Sequence, residues 1–582
     1  MYLHLKYHHF IQRIWYTLFK NLLCNNSMIY YLYVLCYIFI NIISVYPLDI
    51  LIIGAGQSGI VTTHYLSQNK ENNIWTVEKY GTLGGTWRLG NHYPNLVANN
   101  ARDTFTLPDL PSLPGSDDFP TLNTTFTYLN RYVDTFNLHK YIYYNTTVTK
   151  VSQINSLNST FGYKYKVDFE YNTHSLPKIY DSIVFATGYT HLPNIPYIQG
   201  SEIFNGKIIH SSNVTTELDN IANKDVVILG GGKSSLDVAI WASKNNAKTV
   251  HIVLRNMHWG IPRYIGGNNP YDGEWNQNII YSRLSQMFLP TCLSCYNDIS
   301  NIPLSTWLLH NTTIGIQIRD SFWNMISKQI IQQYDIPEWL VPPRTLYEDG
   351  LYLSVLHPEI YSLIKNDKIK IHTCRYISKI YKYELHIDNI SGCIAPKGAP
   401  ISDPIIKSDI IIMGTGFKSS IQSIISNTIY KNLFNRYGQI QLFRAAYNPN
   451  LPGVGFVGFK HNSNTMLSAA LAARWVSEYL KDTFGRISMN GVLTDKEEIW
   501  RQIHNGNQFE REFSKIHGNK ETSYSNGRGG LYQGNSIYPY ADSILTDLGI
   551  HCYRYNNWIS EYTEPQVNIL YSGMDSIIYN NN

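Results

Sequence analysis

An α/β fold of two Rossmann-like, doubly wound dinucleotide-binding domains is predicted by two observations. Glycine-rich turns occur twice in the 582 residues, at Gly54-Ala55-Gly56-Gln57-Ser58-Gly59 and at Gly230-Gly231-Gly232-Lys233-Ser234-Ser235. Each turn directly follows a short apolar run of the kind that forms a strand buried on both faces. A chain with two such turns can hold two dinucleotides at once, an arrangement suited to passing electrons between a nicotinamide and a flavin. The pair is far more specific than either turn alone.

The first unit is the more complete. Leu48–Ile53 reads as a central parallel strand that ends at Gly54. Gly54 permits the tight turn, Gly56 lets backbone approach a pyrophosphate, and Gly59 lets the next helix pack close to the strand. That helix, about Ser58 to Asn69, aims its free N–H groups at the phosphates. A second strand, Ile74–Val77, ends at Glu78, about twenty residues past the glycines, where a carboxylate suits a ribose hydroxyl. Next come Leu83-Gly84-Gly85-Thr86-Trp87. This glycine pair either passes close to a flavin ring, where side chains would collide, or is a plain surface turn.

In the second unit, Val226–Leu229 feeds the glycines, and Ser235 stands where a third glycine is usual. The next strand, Val250–Leu254, ends at Arg255 rather than at an acid. A guanidinium can pair bidentately with a 2′-phosphate, whereas a carboxylate would repel it, so NADP is favoured over NAD. Lys233 and Ser234 lie beside the turn and are candidates to extend the anion site. Two further apolar runs close on Thr187-Gly188 and on Thr415-Gly416. Such endings mark backbone that passes close to a ligand or to a crossing loop.

Composition bounds the remaining classes. Charged residues are 15% and net charge is +4, with no basic face or tail, so nucleic acid is not expected as a partner. The seven cysteines are scattered and odd in number, which does not suggest a disulfide framework. Cys292-Leu293-Ser294-Cys295 is a CxxC and raises a disulfide reductase as a rival, but it falls far downstream of both glycine turns. No metal site is expected. The N-terminus is ambiguous. Met28–Tyr46 is uncharged and about long enough to span a bilayer, with Lys6, Arg13 and Lys20 before it. A signal peptide, a signal anchor and a mistranslated upstream stretch all stay open. The positive-inside rule would carry the enzyme away from the cytosolic supply of reduced nicotinamide.

With these motifs the chain resembles the flavin-containing monooxygenases, class B flavoproteins that bind two dinucleotides, from about Leu48 to Trp475. Tyr93-Pro94-Asn95-Leu96-Val97-Ala98-Asn99 is similar to the family segment carrying an active-site asparagine. Phe204-Asn205-Gly206-Lys207-Ile208-Ile209-His210 matches the first half of its F-x-G-x-x-x-H pattern. The second half departs: Val214 stands where an aromatic, or Trp in Baeyer–Villiger relatives, is usual, and Thr215 where a basic residue is common. Ala470 and Ala472 replace the polar residues usual in the helix that carries Ala473-Arg474-Trp475.

The resemblance implies a glutathione-reductase-like FAD/NAD(P) architecture, with FAD and NADPH as cofactors. It implies a C4a-hydroperoxyflavin that oxygenates a nucleophilic nitrogen or sulfur of a small molecule at the expense of O2. Baeyer–Villiger or N-hydroxylating chemistry is the nearest alternative, followed by a non-catalytic flavoprotein. Asn99 is then expected near the flavin, while His210 reads as a structural tie rather than a general base. The implied organisation is an N-terminal segment 1–47, FAD-binding parts 48–200 and 417–489, an NADP-binding domain 201–416 with an insertion at 266–334, and a C-terminal appendage 490–582. Membrane association at the endoplasmic reticulum, cytoplasmic residence and secretion all remain open, as does a homodimer.

Overall fold

The computed structural model describes residues 47–90, 92–170, 176–190, 192–263, 282–290, 304–351, 354–357, 359–400, 403–460, 462, 464–481, 493, 495–516, 537–564 and 566–572. The apolar run Met28–Tyr46 and the CxxC at Cys292–Cys295 lie outside the described residues. Among the described residues no helix is long and apolar enough to cross a membrane.

Two five-stranded parallel sheets carry the fold. In chain order the first supplies β1 (Asp49–Ile53), α1 (Gln57–Ser67), β2 (Asn73–Val77), β3 (Ile142–Tyr143) and β4 (Ser182–Phe185). The second supplies β5 (Lys207–His210), β6 (Asp225–Leu229), α2 (Lys233–Lys244), β7 (Thr249–Leu254), β8 (Lys370–Thr373) and β9 (Ile410–Met413). The chain then returns to the first sheet with β10 (Val454–Phe456) and α3 (Thr465–Lys481). The strand orders are β10-β4-β1-β2-β3 and β8-β7-β6-β9-β5. In each, the strand before the glycine turn is central. Its neighbours are the strand that follows the helix and the strand that ends in Thr-Gly.

The near-continuous apolar runs are explained by burial on both faces. Ile50 and Ile52 of β1 join the core beneath α1 and α3, while Leu51 and Ile53 join the core on the opposite face. In β6, Val226 and Ile228 face one core and Val227 faces the other. The alanines of α3 have a packing reason: Ala469, Ala470 and Ala473 are fully buried, and α3 lies against α1, so small residues let the two helices approach.

The C-terminal region is built into the first core rather than hanging from it. Helices α4 (Lys496–Ile516), α5 (Tyr538–Asp547) and α6 (Trp558–Thr563) follow α3. Ile499, Ile503, Tyr538, Ile544 and Leu545 share one buried cluster with Trp475 and Leu471. Buried ion pairs fix this region. Arg444 Nε donates to Asp547 at 2.8 Å, and Trp475 Nε1 donates to the same carboxylate at 2.9 Å. Arg283, in the insertion, donates through both terminal nitrogens to Asp542 at 2.6 and 2.7 Å and through Nε to Glu561 at 2.5 Å.

Among the described residues a disulfide, absent from the sequence expectation, joins Cys374 to Cys393 with their Cα atoms 5.6 Å apart. Nothing in seven scattered cysteines singles out this pair, which only the fold brings together.

Replacing Arg283 with Met leaves the buried Glu561 and the half-buried Asp542 without their guanidinium. Breaking a buried pair in this way costs about 3–5 kcal/mol. Urea unfolding of Arg283→Met is therefore expected to show a loss of that order, and a loss within error would deny the pair its role.

Candidate active site

Both glycine turns sit at the carboxyl ends of their parallel strands, the usual ligand edge of such sheets. At the first, Gly54 has φ +107°, and a Cβ there would lie 2.7 Å from Ala186 O. A Cβ on Gly59 would lie 1.8 Å from Gly54 O, so α1 can rest on the turn only because Gly59 lacks a side chain. Gly56 caps α1 with no side-chain hydrogen bond to the first N–H groups, which stay free for an anion. Ser58 is buried beneath the β10 return, where a Cβ on Gly458 would meet its Oγ at 2.3 Å. Ser58 thus packs the cradle.

Glu78 ends β2 as expected. Its Oε2 accepts from Ala55 N at 2.9 Å and its Oε1 from Tyr80 N at 3.1 Å. Burial raises its pKa, and those two N–H donors oppose the rise. The Gly84-Gly85 pair folds back over the cradle: Gly84 N donates to Ala55 O at 2.9 Å. A Cβ on Gly85, whose φ is +59°, would come within 3.0 Å of Gly56 Cα. Thr86 Oγ1 lies 2.7 Å from Thr190 Oγ1, and Trp87 packs edge-on to Phe105. Thr187 Oγ1 is buried with no partner among the described residues, and Gly188, at φ +64°, has open space beside it. An unsatisfied hydroxyl, open backbone and a bare helix N-terminus together fit a dinucleotide.

At the second turn Gly230 has φ +127°, and its Cβ would lie 2.4 Å from Gly414 O. A Cβ on Gly414 would in turn meet Ser235 Oγ at 1.9 Å, so the serine takes the third-glycine place opposite a glycine. Gly232 has open space, and it caps α2 without a side-chain bond. Lys233 does not reach outward. It pairs with Asp237 one turn along α2, and burial lowers its pKa while Asp237 opposes that shift. Asp237 also accepts from Tyr93 OH at 3.1 Å. Ser234 is half-buried beside them. Arg255 is exposed at the end of β7, with no carboxylate in ion-pair range among the described residues.

The segments beside these turns are held first where β5 and β9 of the second sheet meet Asn194 of the linker. His210 is buried, donates from Nε2 to Gly416 O at 2.9 Å and accepts at Nδ1 from Ser212 N at 3.2 Å. These bonds assign the neutral ring with its proton on Nε2. Gly416 O also accepts from Asn194 N at 2.9 Å, and Thr415 Oγ1 donates to Asn194 O. The second contact uses the residues that depart from the family pattern. Val214 is buried beside Tyr93 in one core, and Thr215 Oγ1 donates to His92 O at 2.8 Å. Together they hold the segment that leads to Asn99, which is exposed.

Sequence reasoning missed Tyr93, Asp237 and Asn462. Asn462 precedes α3, is buried, and has an Nδ2 with no partner among the described residues. The run Asn462-Ser463-Asn464-Thr465 before an apolar helix is a helix-start signal that could have drawn attention to it. Among the described residues no group of three or more His, Cys, Asp or Glu could hold a metal.

Two cradles of this kind, on two sheets joined through Tyr93 and Asp237, define a two-dinucleotide flavoprotein oxidoreductase. The chain belongs to the flavin-binding monooxygenase-like family, whose model matches residues 48–342, just over half its length. It is 24% identical over 566 residues to the probable flavin-containing monooxygenase 1 of Arabidopsis thaliana, covering 88% of this chain and 94% of the relative. It is 25% identical to flavin-containing monooxygenase 1 of Mus musculus, covering 78% of each. It is 24% identical to senecionine N-oxygenase of Tyria jacobaeae, covering 66% of this chain and 91% of that protein. Among solved structures, OTEMO in complex with FAD and NADP superposes with a TM-score of 0.60 at 18% identity, covering 85% of this chain and 97% of the other. Cyclohexanone monooxygenase bound to epsilon-caprolactone gives 0.56 at 16% identity, covering 82% and 96%. The chain is an NADPH- and FAD-dependent monooxygenase.

Burial depresses the pKa of His210, with the bond to Gly416 opposing the shift. Below about pH 6.5, histidine's ordinary value, the unfolded chain takes up a proton that the folded ring refuses. His210 therefore stabilises the fold above that pH, and its contribution falls on acidification toward the lower folded pKa. Urea midpoints measured on acidification should fall more steeply for the native protein than for His210→Asn. Parallel slopes would contradict the neutral-tie assignment.

Proposed function

We propose that this monooxygenase oxygenates an amine nitrogen or sulfide sulfur of a small molecule, and that the named cradle residues bind the two cofactors. The sequence relatives carry the substrate reading, because Val214, buried in the second core, departs both from the aromatic of the flavin-containing monooxygenases and from the tryptophan of the Baeyer–Villiger relatives. The names of the sequence relatives support the same class: senecionine N-oxygenase, and the N-oxide-forming dimethylaniline monooxygenase 2 of Macaca mulatta. Ketone oxygenation is the second reading, favoured by the fold-level match to cyclohexanone monooxygenase.

The cofactors, when bound, supply hydride transfer and oxygen activation. The chain's own residues bind, orient and shield. Gly54, Gly56 and Gly59 with the start of α1 take one pyrophosphate, Ser58 packs beneath them, and Glu78 stands at the ribose end. Gly85, Thr86 and Trp87 lie over that cradle, and Thr187 and Gly188 offer a hydroxyl and open backbone. Gly230, Gly232, Ser234 and Ser235 with the start of α2 take the second pyrophosphate. Arg255 offers a guanidinium to a 2′-phosphate, and Thr415 and Gly416 fix the crossing between lobes. Asn99, at the end of the segment held by Thr215, would offer an amide to the flavin.

Product analysis with a tertiary amine, a sulfide and a cyclic ketone tests the substrate class. N-oxide or sulfoxide is expected, and a lactone as the main product would overturn the choice. Arg255→Ala should raise KM for NADPH about tenfold or more with little change for NADH, since a charge-assisted contact to the extra phosphate is lost. Equal effects on both would remove Arg255 from phosphate recognition. Asn99→Ala should keep NADPH oxidation but release most of the oxygen as hydrogen peroxide. Unaltered coupling would remove its assigned role.

A further inference from the structure

We propose that the Cys374–Cys393 disulfide sets this enzyme's preference for the 2′-phosphorylated nucleotide by holding the backbone of Arg255 in place. The proposal rests on the assignment of Arg255 to the 2′-phosphate.

Strands β7 and β8 run side by side, with Leu254 opposite Thr373. The next residues, Arg255 and Cys374, therefore leave the sheet together at its carboxyl edge. Cys374 has φ +58°, a left-handed conformation uncommon outside glycine and asparagine. It swings the chain out of β8 into a hairpin of Arg375–Ile380 and Glu384–Asn389. After the hairpin, Ile390 N returns to Cys374 O at 2.9 Å, and Cys393 N bonds Ile390 O at 3.2 Å. Cys393 Sγ then rests 3.1 Å from Arg255 O and 3.8 Å from Asn256 Oδ1. These contacts join the disulfide to the backbone of Arg255.

Arg255 itself is exposed, and no carboxylate among the described residues steers its guanidinium. Its aim therefore depends on the backbone that carries it, and Cys393 buttresses that backbone. The pyrophosphate site depends instead on Gly230, Gly232 and α2, which do not touch the bridge. A change at the bridge should therefore reach the 2′-phosphate contact selectively.

The bridge is open to exchange on one side. Cys374 is buried, whereas Cys393 is half-buried between exposed Gly392 and Ile394. A dithiol reductant attacks Cys393 Sγ as a thiolate, and the S–S electron pair leaves on Cys374, which takes a proton. The reductant's second thiol then displaces Cys393 as the thiol. Two electrons and two protons pass from the dithiol, which ends as a disulfide.

The test is calorimetric binding of NADP+ and of NAD+ to the full-length holoenzyme. It compares the oxidised protein, protein treated with dithiothreitol, Cys374→Ser and Cys393→Ser, with the bridge followed by peptide mass. Loss of the bridge should weaken NADP+ about tenfold, the scale of one charge-assisted contact, and leave NAD+ within about twofold. An unchanged NADP+/NAD+ ratio, or equal weakening of both as a merely structural bridge would give, overturns the proposal. Arg255→Ala in the oxidised state separates the two assignments. If it keeps the preference, the reading of Arg255 fails. If it loses the preference while bridge removal does not, only the role of the disulfide fails.

Discussion

The structure depends on how closely a helix can lie against the strand turn that precedes it. A Cβ on Gly59 would sit 1.8 Å from the carbonyl oxygen of Gly54, so this contact is backbone on backbone. Only at that distance do the bare N–H groups of α1 aim along the turn and leave room above Gly56 for an anion. The second lobe meets the same demand differently. Where the first sets Gly59 near Ala186, the second sets Ser235 against Gly414. The side chain removed from the return strand makes space for the one added on the helix, a volume exchange of the kind close-packed interiors tolerate. Ser235 gains a 3.3 Å bond to Gly414 O in the exchange.

This exchange explains why the repeated architecture was legible in the sequence. The apolar runs at Leu48–Ile53, Val226–Leu229, Ile410–Met413 and their neighbours are buried on both faces, so periodicity is absent and hydrophobicity continuous. Glycines at the strand ends mark positive φ or a missing Cβ, both written directly as residue type. Other features are written in pairs distant along the chain. Arg283 and Glu561 are 278 residues apart, and Arg283 and Asp542 are 259 apart. Neither partner carries a local signal, so the C-terminal helices read as an appendage although they share the core of α3. Cys374 and Cys393 escaped for a related reason: a bond between two of seven cysteines depends on which strand ends the sheet order makes neighbours.

Lys233 shows why a residue beside a phosphate turn need not serve the phosphate. Its ammonium is turned onto Asp237, and Asp237 accepts the phenol of Tyr93 from the other lobe. A carboxylate so buried requires a countercharge, and the lysine one turn back supplies it. Tyr93 can then dock against α2 without facing an uncompensated charge, and the chain continues through Pro94 and Leu96 to Asn99. His92, next to Tyr93, is bound in turn by Thr215. The positive charge adjoining the turn thus steadies the junction between the lobes. With Lys233 so engaged, the anion recognition proposed for the second cradle rests on the helix N-terminus and on Arg255. A helix N-terminus recognises the pyrophosphate common to both nicotinamide cofactors, so on that proposal discrimination between them rests on the guanidinium and on what fixes its backbone.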